Sequence, residues 1–359
     1  MTATRILCTG LGGVVGTELS TRLAGFAGAA EVVGVFSSPE SRLRFLDGAD
    51  PVLRGFLRAE VCDLTDPAQT AALAAVLGTA ERTVVVHAAA NTAWTLPLAV
   101  AMTANVEATR NVADLARASS GSARMIYVSS AFTSPENWLY RNTYEESKAR
   151  AERMLRAEYP DLDVSVFSCS LVVGHSETGA VARFHGLYPL LKFIEGYEVP
   201  VVPGDRGRRL DIVPVDWVAD ELCHLLAEAV AGESPRDVVA SAGAGAPKLP
   251  ELIAGVAETV NRRRDAEGRP RLPEIAVFSM RQWDFLRRSL VVWQAGTASL
   301  PPARILDLLM DTYRPYLEDD RVLPPSGVSA PAPAFTGYLP AVVDYWLDRT
   351  SRAGRLVTA

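Results

Sequence analysis

The chain has 359 residues and a mass of 38.6 kDa, enough for one large unit or two joined lobes. Hydrophobic residues make up 48% and charged residues 22%, ordinary globular proportions that exclude a coiled coil and global disorder. With 36 Lys and Arg against 42 Asp and Glu, the formal net charge is −6, which argues against nucleic acid as a partner because phosphate binding needs a basic field.

The four cysteines (Cys8, Cys62, Cys169, Cys223) form no C-x-x-C pair, and the four histidines (His87, His175, His185, His224) show no H-x-x-x-H spacing. No metal site is therefore expected, and a reduced, cytoplasmic chain is the simplest account. No apolar run reaches the roughly 18 residues a membrane helix needs, so no membrane span is expected. Gly10, Gly12 and Gly13 interrupt the apolar stretch near the N-terminus where a signal peptide requires continuity, and this stretch reads as mature protein.

In chain order, residues 5–9 predict a short strand, followed by glycines and a helical stretch to about Ala24. Residues 31–36 and 56–61 read as the second and third strands. Residues 67–77 read as a helix with Asp66 at its N-cap and Pro67 at its first position. Val84, Val85 and Val86 in succession predict a fourth strand over 83–87, buried on both faces. A long helix over about 97–118, a strand over 124–129, a helix over 143–158 and a strand over 164–168 follow. Strands separated by helices of this length build a parallel sheet with right-handed crossovers, a doubly wound α/β fold. After Gly174 the rhythm changes. Residues 175–210 lack clean alternation, 211–213 and 216–229 read as a return to the sheet, 241–250 (SAGAGAPKLP) as a linker, and 324–333 as a mobile loop. The expected organisation is a dinucleotide-binding Rossmann domain of 1–174 plus 211–245, with a smaller, mostly helical substrate lobe of 175–210 plus 246–359.

Thr9-Gly10-Leu11-Gly12-Gly13-Val14-Val15-Gly16 lies between the first strand and the first helix. Glycines there permit a tight turn, close approach of the backbone to a pyrophosphate, and close helix–sheet packing, while the helix N-terminus offers N–H groups to phosphate. An NAD-selective site places an acidic residue at the end of the second strand. Here that end is Phe36-Ser37-Ser38-Pro39-Glu40-Ser41-Arg42, so Ser37 and Arg42 favour the 2′-phosphate of NADP(H) over NAD(H), with Glu40 the alternative ribose ligand. Asp63, followed by Leu64, either meets the adenine or caps a helix.

Tyr144-Glu145-Glu146-Ser147-Lys148 opens a helical segment, so Tyr144 and Lys148 at i and i+4 share a face. A cation beside the phenol is expected to lower a pKa that starts near 10. A tyrosine tuned in this way exchanges a proton with a carbonyl oxygen while hydride arrives from a nicotinamide. Ser129 and Ser130 end the preceding strand, at the sheet edge where open α/β folds bind ligands.

The turn TGLGGVVG, the stretches VVVHAAANTAW, ANVEATRNVADLA and YVSSAF, and YEESK resemble the extended short-chain dehydrogenases/reductases. The segments LVVGHSETG (171–179), PGD (203–205) and DIVPVDWVA (211–219) are similar to the thioester-reductase and fatty acyl-CoA reductase branch, which includes release domains of carboxylic acid reductases and of peptide or polyketide synthases. This resemblance spans about residues 4–230. It implies Ser130, Tyr144 and Lys148 as the catalytic trio, with Asn105 supporting the active-site helix and a water. It implies Gly10, Gly13 and Gly16 on the pyrophosphate and His87, Ala88 and Ala89 beneath the adenosine and nicotinamide ribose, with Lys148 on the nicotinamide ribose; Thr9, Gly12, Val14, Ser37, Arg42, Asp63, Leu64 and Ala90 are the further cofactor-binding candidates. Two departures stand out: Ser168-Cys169-Ser170 replaces the branch's Arg-Pro-Ser, and Ser37 replaces its basic residue. The implied activity is NADPH-dependent reduction of an acyl thioester to an aldehyde, or onward to an alcohol. The substrate is expected in trans, on CoA or a carrier protein. Reduction of a free ketone or aldehyde, chemistry on a nucleotide sugar, and a non-catalytic NADP-sensing role are the alternatives on the same fold.

Arg206, Arg208, Arg209 and the run Arg262-Arg263-Arg264 are either contacts for the phosphates of CoA or phosphopantetheine or solvated charge. Trp94, Phe132, Trp138, Phe184, Tyr188 and Tyr197 are either an acyl pocket or core packing. His175 and His185 are candidates for substrate contact.

Overall fold

The computed structural model describes residues 4–119, 121–133, 140–198, 200–285, 313–317 and 321–357. Its elements begin with β1 (Thr4–Thr9), α1 (Val14–Ser20), β2 (Glu31–Phe36), α2 (Pro39–Gly48), α3 (Pro51–Phe56), β3 (Leu57–Val61), α4 (Pro67–Leu77) and β4 (Arg82–His87). They continue with α5 (Leu98–Met102), α6 (Ala108–Ser119), β5 (Ala123–Ser130), α7 (Thr143–Glu158), β6 (Asp163–Cys169), β7 (Leu171–Val173), α8 (Tyr188–Tyr197), β8 (Val201–Pro203) and β9 (Ile212–Pro214). Last come α9 (Val215–Ala231), β10 (Val238–Ala240), α10 (Leu249–Ala266), β11 (Ala276–Phe278) and a terminal helix, Phe335–Val357.

Side-chain caps start the helices where short polar residues precede them. The Asp66 carboxylate accepts from the Ala68 and Gln69 amides ahead of α4, Ser38 and Ser41 form a capping box on α2, and Asn142 accepts from the Glu145 amide at the start of α7. Each such cap contributes about 1 kcal/mol. The helix expected over 97–118 is not uniformly α: Thr103–Glu107, between α5 and α6, is π-helical. A π turn inserts one residue into the helical register, and it points Asn105 into the protein, where the side chain is fully buried.

One unit comprises Met1–Ser170, Val215–Ala240 and Pro325–Pro331. Its seven strands run parallel in the order β3-β2-β1-β4-β5-β6-β10. Chain direction through the sheet reverses between β1 and β4, the switch point at whose carboxyl edge doubly wound sheets bind ligands. Leu7, Val33, Val85 and Met125 from the central strands pack with Val112, Leu115 and Leu155 from α6 and α7, and all are buried. Continuous apolar strands fit a sheet covered on both faces. Segment 324–333, expected to be mobile, is anchored: Ser326 bridges Val239, while the amides of Ser329 and Ala330 and the Ser329 hydroxyl all donate to Glu221.

The second unit comprises Leu171–Pro214, Ser241–Pro324 and Ala332–Ala359. Residues 211–213 do not return to the main sheet. β9 instead pairs with β7, Leu171 opposite Ile212, in a separate two-stranded parallel sheet, and β8 pairs with β11 in another. The boundaries expected at 174, 211 and 245 accordingly move to 170, 214 and 240. Residues 241–250 are packed rather than linker-like: Ser241, Ala246 and Leu249 are buried, and the Asp211 carboxylate accepts from the Ala242 and Gly243 amides. The arginine run is committed within this unit. Arg262 pairs with Asp344, Arg263 with Glu267 and Asp348, and Arg264 with Glu195 and Glu198. Arg209 donates to the Ala246 carbonyl and Arg208 pairs with Asp205.

Candidate active site

The turn after β1 separates its glycines into two kinds. At Gly10, φ is +77°, and a Cβ would lie 2.5 Å from the Ala88 carbonyl carbon and the Ala89 nitrogen. At Gly16 a Cβ would lie 2.1 Å from the Gly10 oxygen. These two positions let backbone segments pack against each other. A Cβ at Gly12 would meet nothing within 4 Å, so open space borders the turn at that position. Gly13 precedes α1 as its N-cap, with its amide on the Gly10 oxygen at 2.9 Å, and Val14 is the first helical residue.

A buried chain of hydrogen bonds ties this turn to β4 and the π turn. The Thr109 hydroxyl donates to the Asn105 carbonyl at 2.6 Å, so its oxygen accepts from His87 Nε2–H at 3.0 Å. His87 Nδ1 is then the acceptor for the Thr9 hydroxyl at 2.7 Å, and Thr9 Oγ1 accepts from the Ala89 amide at 3.2 Å. The Ala88 amide donates to the Thr9 carbonyl, and Ala90 follows half-buried. Burial, reinforced by Lys148, holds the His87 imidazole down at about 3 and therefore neutral. The unfolded chain binds a proton here near pH 6.5 and the folded one does not, so stability is fully present above pH 6.5 and is lost as the pH falls toward 3. Melting temperatures measured between pH 6.5 and 5 are expected to fall less steeply in His87→Gln than in the parent. Parallel curves would remove His87 from the acid response.

Ser130 is buried at the carboxyl end of β5, in register with Cys169 on β6, and its hydroxyl oxygen accepts from the Phe132 amide at 3.3 Å. Tyr144 and Lys148 lie on the first turns of α7, whose start is clamped by the Arg141–Glu145 ion pair. Arg141 also lies over the Phe132 ring, 4.1 Å from its centroid. The Lys148 side chain is buried, with Nζ 3.9 Å above the centre of the Tyr127 ring, and among the described residues its ammonium makes no hydrogen bond or ion pair. Burial lowers its pKa to about 7, against the opposing pull of Glu152 and Cys169. For Tyr144 the expected direction is reversed. Desolvation, with Cys169, Glu145 and Glu152 adding negative charge, pushes the phenol well above the ordinary tyrosine range. Loss of hydration outweighs the neighbouring lysine, whose own charge is suppressed by the same burial.

Asn105 acts as a bracket. Its amide nitrogen donates to the Asn91 carbonyl at 3.0 Å and to Ser147 Oγ at 2.8 Å, while its oxygen accepts from the Asn91 amide at 2.8 Å. Ser147 in turn donates to the Tyr144 carbonyl. The π turn thereby joins the loop after β4 to the helix of Tyr144 and Lys148. Sequence inspection missed Ser147, Tyr127, Cys169 and Glu152. Glu152 alone carried a signal, since it continues the Tyr144–Lys148 column by another four residues.

At the end of β2, Ser37 is exposed and Arg42 half-buried, with no side-chain hydrogen bond to either among the described residues. Glu40 is committed to α2: its own backbone N–H and the Ser38 hydroxyl hold its carboxyl below the usual range. Asp63 is occupied by a local turn, accepting from the Thr65 amide and hydroxyl, while Asp66 is the helix cap and the Leu64 carbonyl accepts from Asn111. Among the aromatics, Trp94 and Phe132 are partly buried in the first unit. Phe184 and Tyr188 stack at 4.8 Å in the second, Tyr197 ends α8, and Trp138 lies outside the described residues. His175 Nδ1 accepts from the Glu177 amide, and burial lowers the His185 pKa. Among the described residues no His, Cys, Asp or Glu cluster could hold a metal, and no helix is long and apolar enough to cross a membrane.

The open space at Gly12, at the switch point, and the buried Lys148, which makes no hydrogen bond or ion pair among the described residues, fit a nicotinamide dinucleotide. The sheet is a Rossmann-like α/β fold similar to that of NAD(P)-binding short-chain dehydrogenases/reductases, which supports an oxidoreductase. Residues 71–140 and 135–222 match the NAD-binding family model described as "Male sterility protein". The chain is 31% identical over 160 residues to glycine betaine reductase ATRR of Emericella nidulans, covering 40% of this chain and only 12% of that relative. Two solved structures share the fold. The terminal R domain from the myxalamid PKS-NRPS biosynthetic pathway is 18% identical with a TM-score of 0.70, covering 97% of this chain and 91% of that one. The thiolation-reductase di-domain from an archaeal non-ribosomal peptide synthetase is 14% identical with a TM-score of 0.67, covering 98% of this chain and 76% of that one.

Proposed function

We propose that the protein is an NADPH-dependent reductase that converts an acyl thioester, carried on CoA or a carrier protein, to an aldehyde. The observation that carries this proposal is Lys148: a buried amine over the Tyr127 ring with no hydrogen bond or ion pair among the described residues, on the helix face of Tyr144 and beside the strand that ends in Ser130. The bound dinucleotide supplies the hydride. Gly12 and the turn around it hold its phosphates, and Lys148 takes its nicotinamide ribose. Tyr144, kept protonated by its surroundings, donates the phenol proton to the carbonyl oxygen as negative charge develops there, and the Ser130 hydroxyl hydrogen-bonds the same oxygen. In the hemithioacetal so formed, the hydroxyl proton leaves, the C–S bond breaks and the thiol departs, leaving the aldehyde.

NADP over NAD is supported by Ser37 and Arg42, which have no other side-chain bonds, and by Glu40, whose carboxylate is engaged by α2. Four free cysteines support a reducing, cytoplasmic setting. Relatives described as an R domain and as a reductase support the thioester as substrate. The test is NADPH absorbance with a panel of acyl-CoA, acyl-carrier and aldehyde substrates, with thiol and carbonyl products trapped. Thioester-dependent oxidation with one thiol released per first hydride is expected, faster with NADPH than with NADH. Oxidation by aldehydes but never by thioesters would replace the proposal with a free-carbonyl reductase.

A further inference from the structure

Glu152 stands one turn beyond Lys148 and two beyond Tyr144 on α7, so the three side chains form one column. Its Oε1 accepts hydrogen bonds from two hydroxyls of the neighbouring strand end, Ser129 Oγ and, at 2.9 Å, Thr133 Oγ1. Those two residues bracket Ser130. The turn between them is closed on itself: the Thr133 amide donates to the Ser130 carbonyl at 3.2 Å, and the single proton of the Thr133 hydroxyl is shared between that carbonyl, at 2.8 Å, and Glu152. The Ala131 amide donates to the Cys169 carbonyl of β6 at 2.9 Å. One side of the Ser130 turn is thus fastened to the sheet, and the other to α7 through a single carboxylate oxygen.

We infer that Glu152 is a positioning residue that holds the Ser130 turn and the Tyr144–Lys148 helix in one frame and sets negative charge beside Lys148. The inference deepens the reductase proposal and rests on it for its catalytic consequence. Burial raises the Glu152 pKa, opposed by the Ser129 and Thr133 hydroxyls and by Lys148 and Arg156. Lys148 is faced by Tyr127 on β5, Cys169 on β6 and the neutral His87 on β4, besides Tyr144 and Glu152 on its own helix. Of these, Glu152 exerts the largest pull in favour of the charged lysine, ahead of Cys169.

Two variants separate the clamp from the charge. Glu152→Gln keeps an oxygen for both hydroxyls and removes the charge, whereas Glu152→Ala removes both. The chain contains three lysines, Lys148, Lys192 and Lys248, so lysine labelled with ¹³C at Cε gives three signals, assigned by Lys192→Arg and Lys248→Arg. In E152Q the Lys148 titration midpoint is expected to fall by about 1 pH unit. With NADPH and the best substrate, E152A is expected to lose roughly 10–100-fold in kcat, with little change in KM for NADPH. E152Q should recover most of that kcat while its rate–pH profile moves. An unmoved Lys148 signal in E152Q, or parental kcat in folded E152A, overturns the inference. A wild-type protein that oxidises NADPH with neither thioester nor aldehyde removes the proposed reaction instead, and the lysine titration still decides the role of Glu152.

Discussion

Tyr144→Phe is expected to lower turnover by about 10²–10⁴-fold, the range contributed by a positioned general acid, with NADPH affinity retained. The phenol stands in a desolvated site whose neighbouring groups, Cys169, Glu145 and Glu152, disfavour the phenolate. It therefore carries its proton at neutral pH, the form that reduction of a carbonyl consumes. Phenylalanine keeps the ring and removes only the hydroxyl, so packing on α7 is preserved. NADPH consumption under saturating substrate, with cofactor binding followed separately by quenching of intrinsic fluorescence, distinguishes loss of the proton donor from loss of the site. Near-parental turnover in this variant would remove Tyr144 from the reaction.

Two glycines four residues apart in the sequence motif, Gly12 and Gly16, are expected to fail in opposite ways. At Gly16 an added Cβ would sit 2.1 Å from the Gly10 oxygen and 2.7 Å from the Leu11 Cα, both backbone atoms that no rotamer change can clear. Gly16→Ala is expected to cost about 3 kcal/mol or more of folding stability, at the upper end of overpacking in a close-packed core. Gly12 borders open space, so Gly12→Val leaves the fold intact while its side chain enters the region assigned to the phosphates. Its melting temperature should stay near the parental value while NADPH affinity falls by at least an order of magnitude, as loss of a charge-assisted contact to backbone N–H implies. Calorimetry and dinucleotide titration on the two variants read these effects independently. Parental NADPH affinity in Gly12→Val would show that the phosphates lie elsewhere.

Much of the architecture was legible along the chain because its causes act over a few residues. Val84–Val86 declare a strand covered on both faces, Asp66 and Pro67 mark a helix start, and Gly10 adopts a left-handed turn that a Cβ would oppose. The i, i+4 spacing likewise places Tyr144 and Lys148 on one helix face before any packing is known. Partnership across the chain has no such local signature. Residues 211–213 are β-rich wherever they pair, and only the tertiary structure assigns β9 to β7 instead of the main sheet. Loop composition suggested mobility for 324–333, and only the tertiary structure brings it to its anchors, Val239 and Glu221.

The same division governs the chemistry of the site. Sequence alone determined which titratable groups stand together on α7; it left the direction of their pKa shifts to the fold, because hydration and charge depend on whatever surrounds a group within a few ångströms. Tyr127, Cys169 and His87 arrive beside Lys148 from three different strands, and Ser129 and Thr133 reach Glu152 from the end of β5. Backbone propensity and helical phase are written residue by residue, whereas desolvation and long-range hydrogen bonding exist only once the sheet has closed around these side chains.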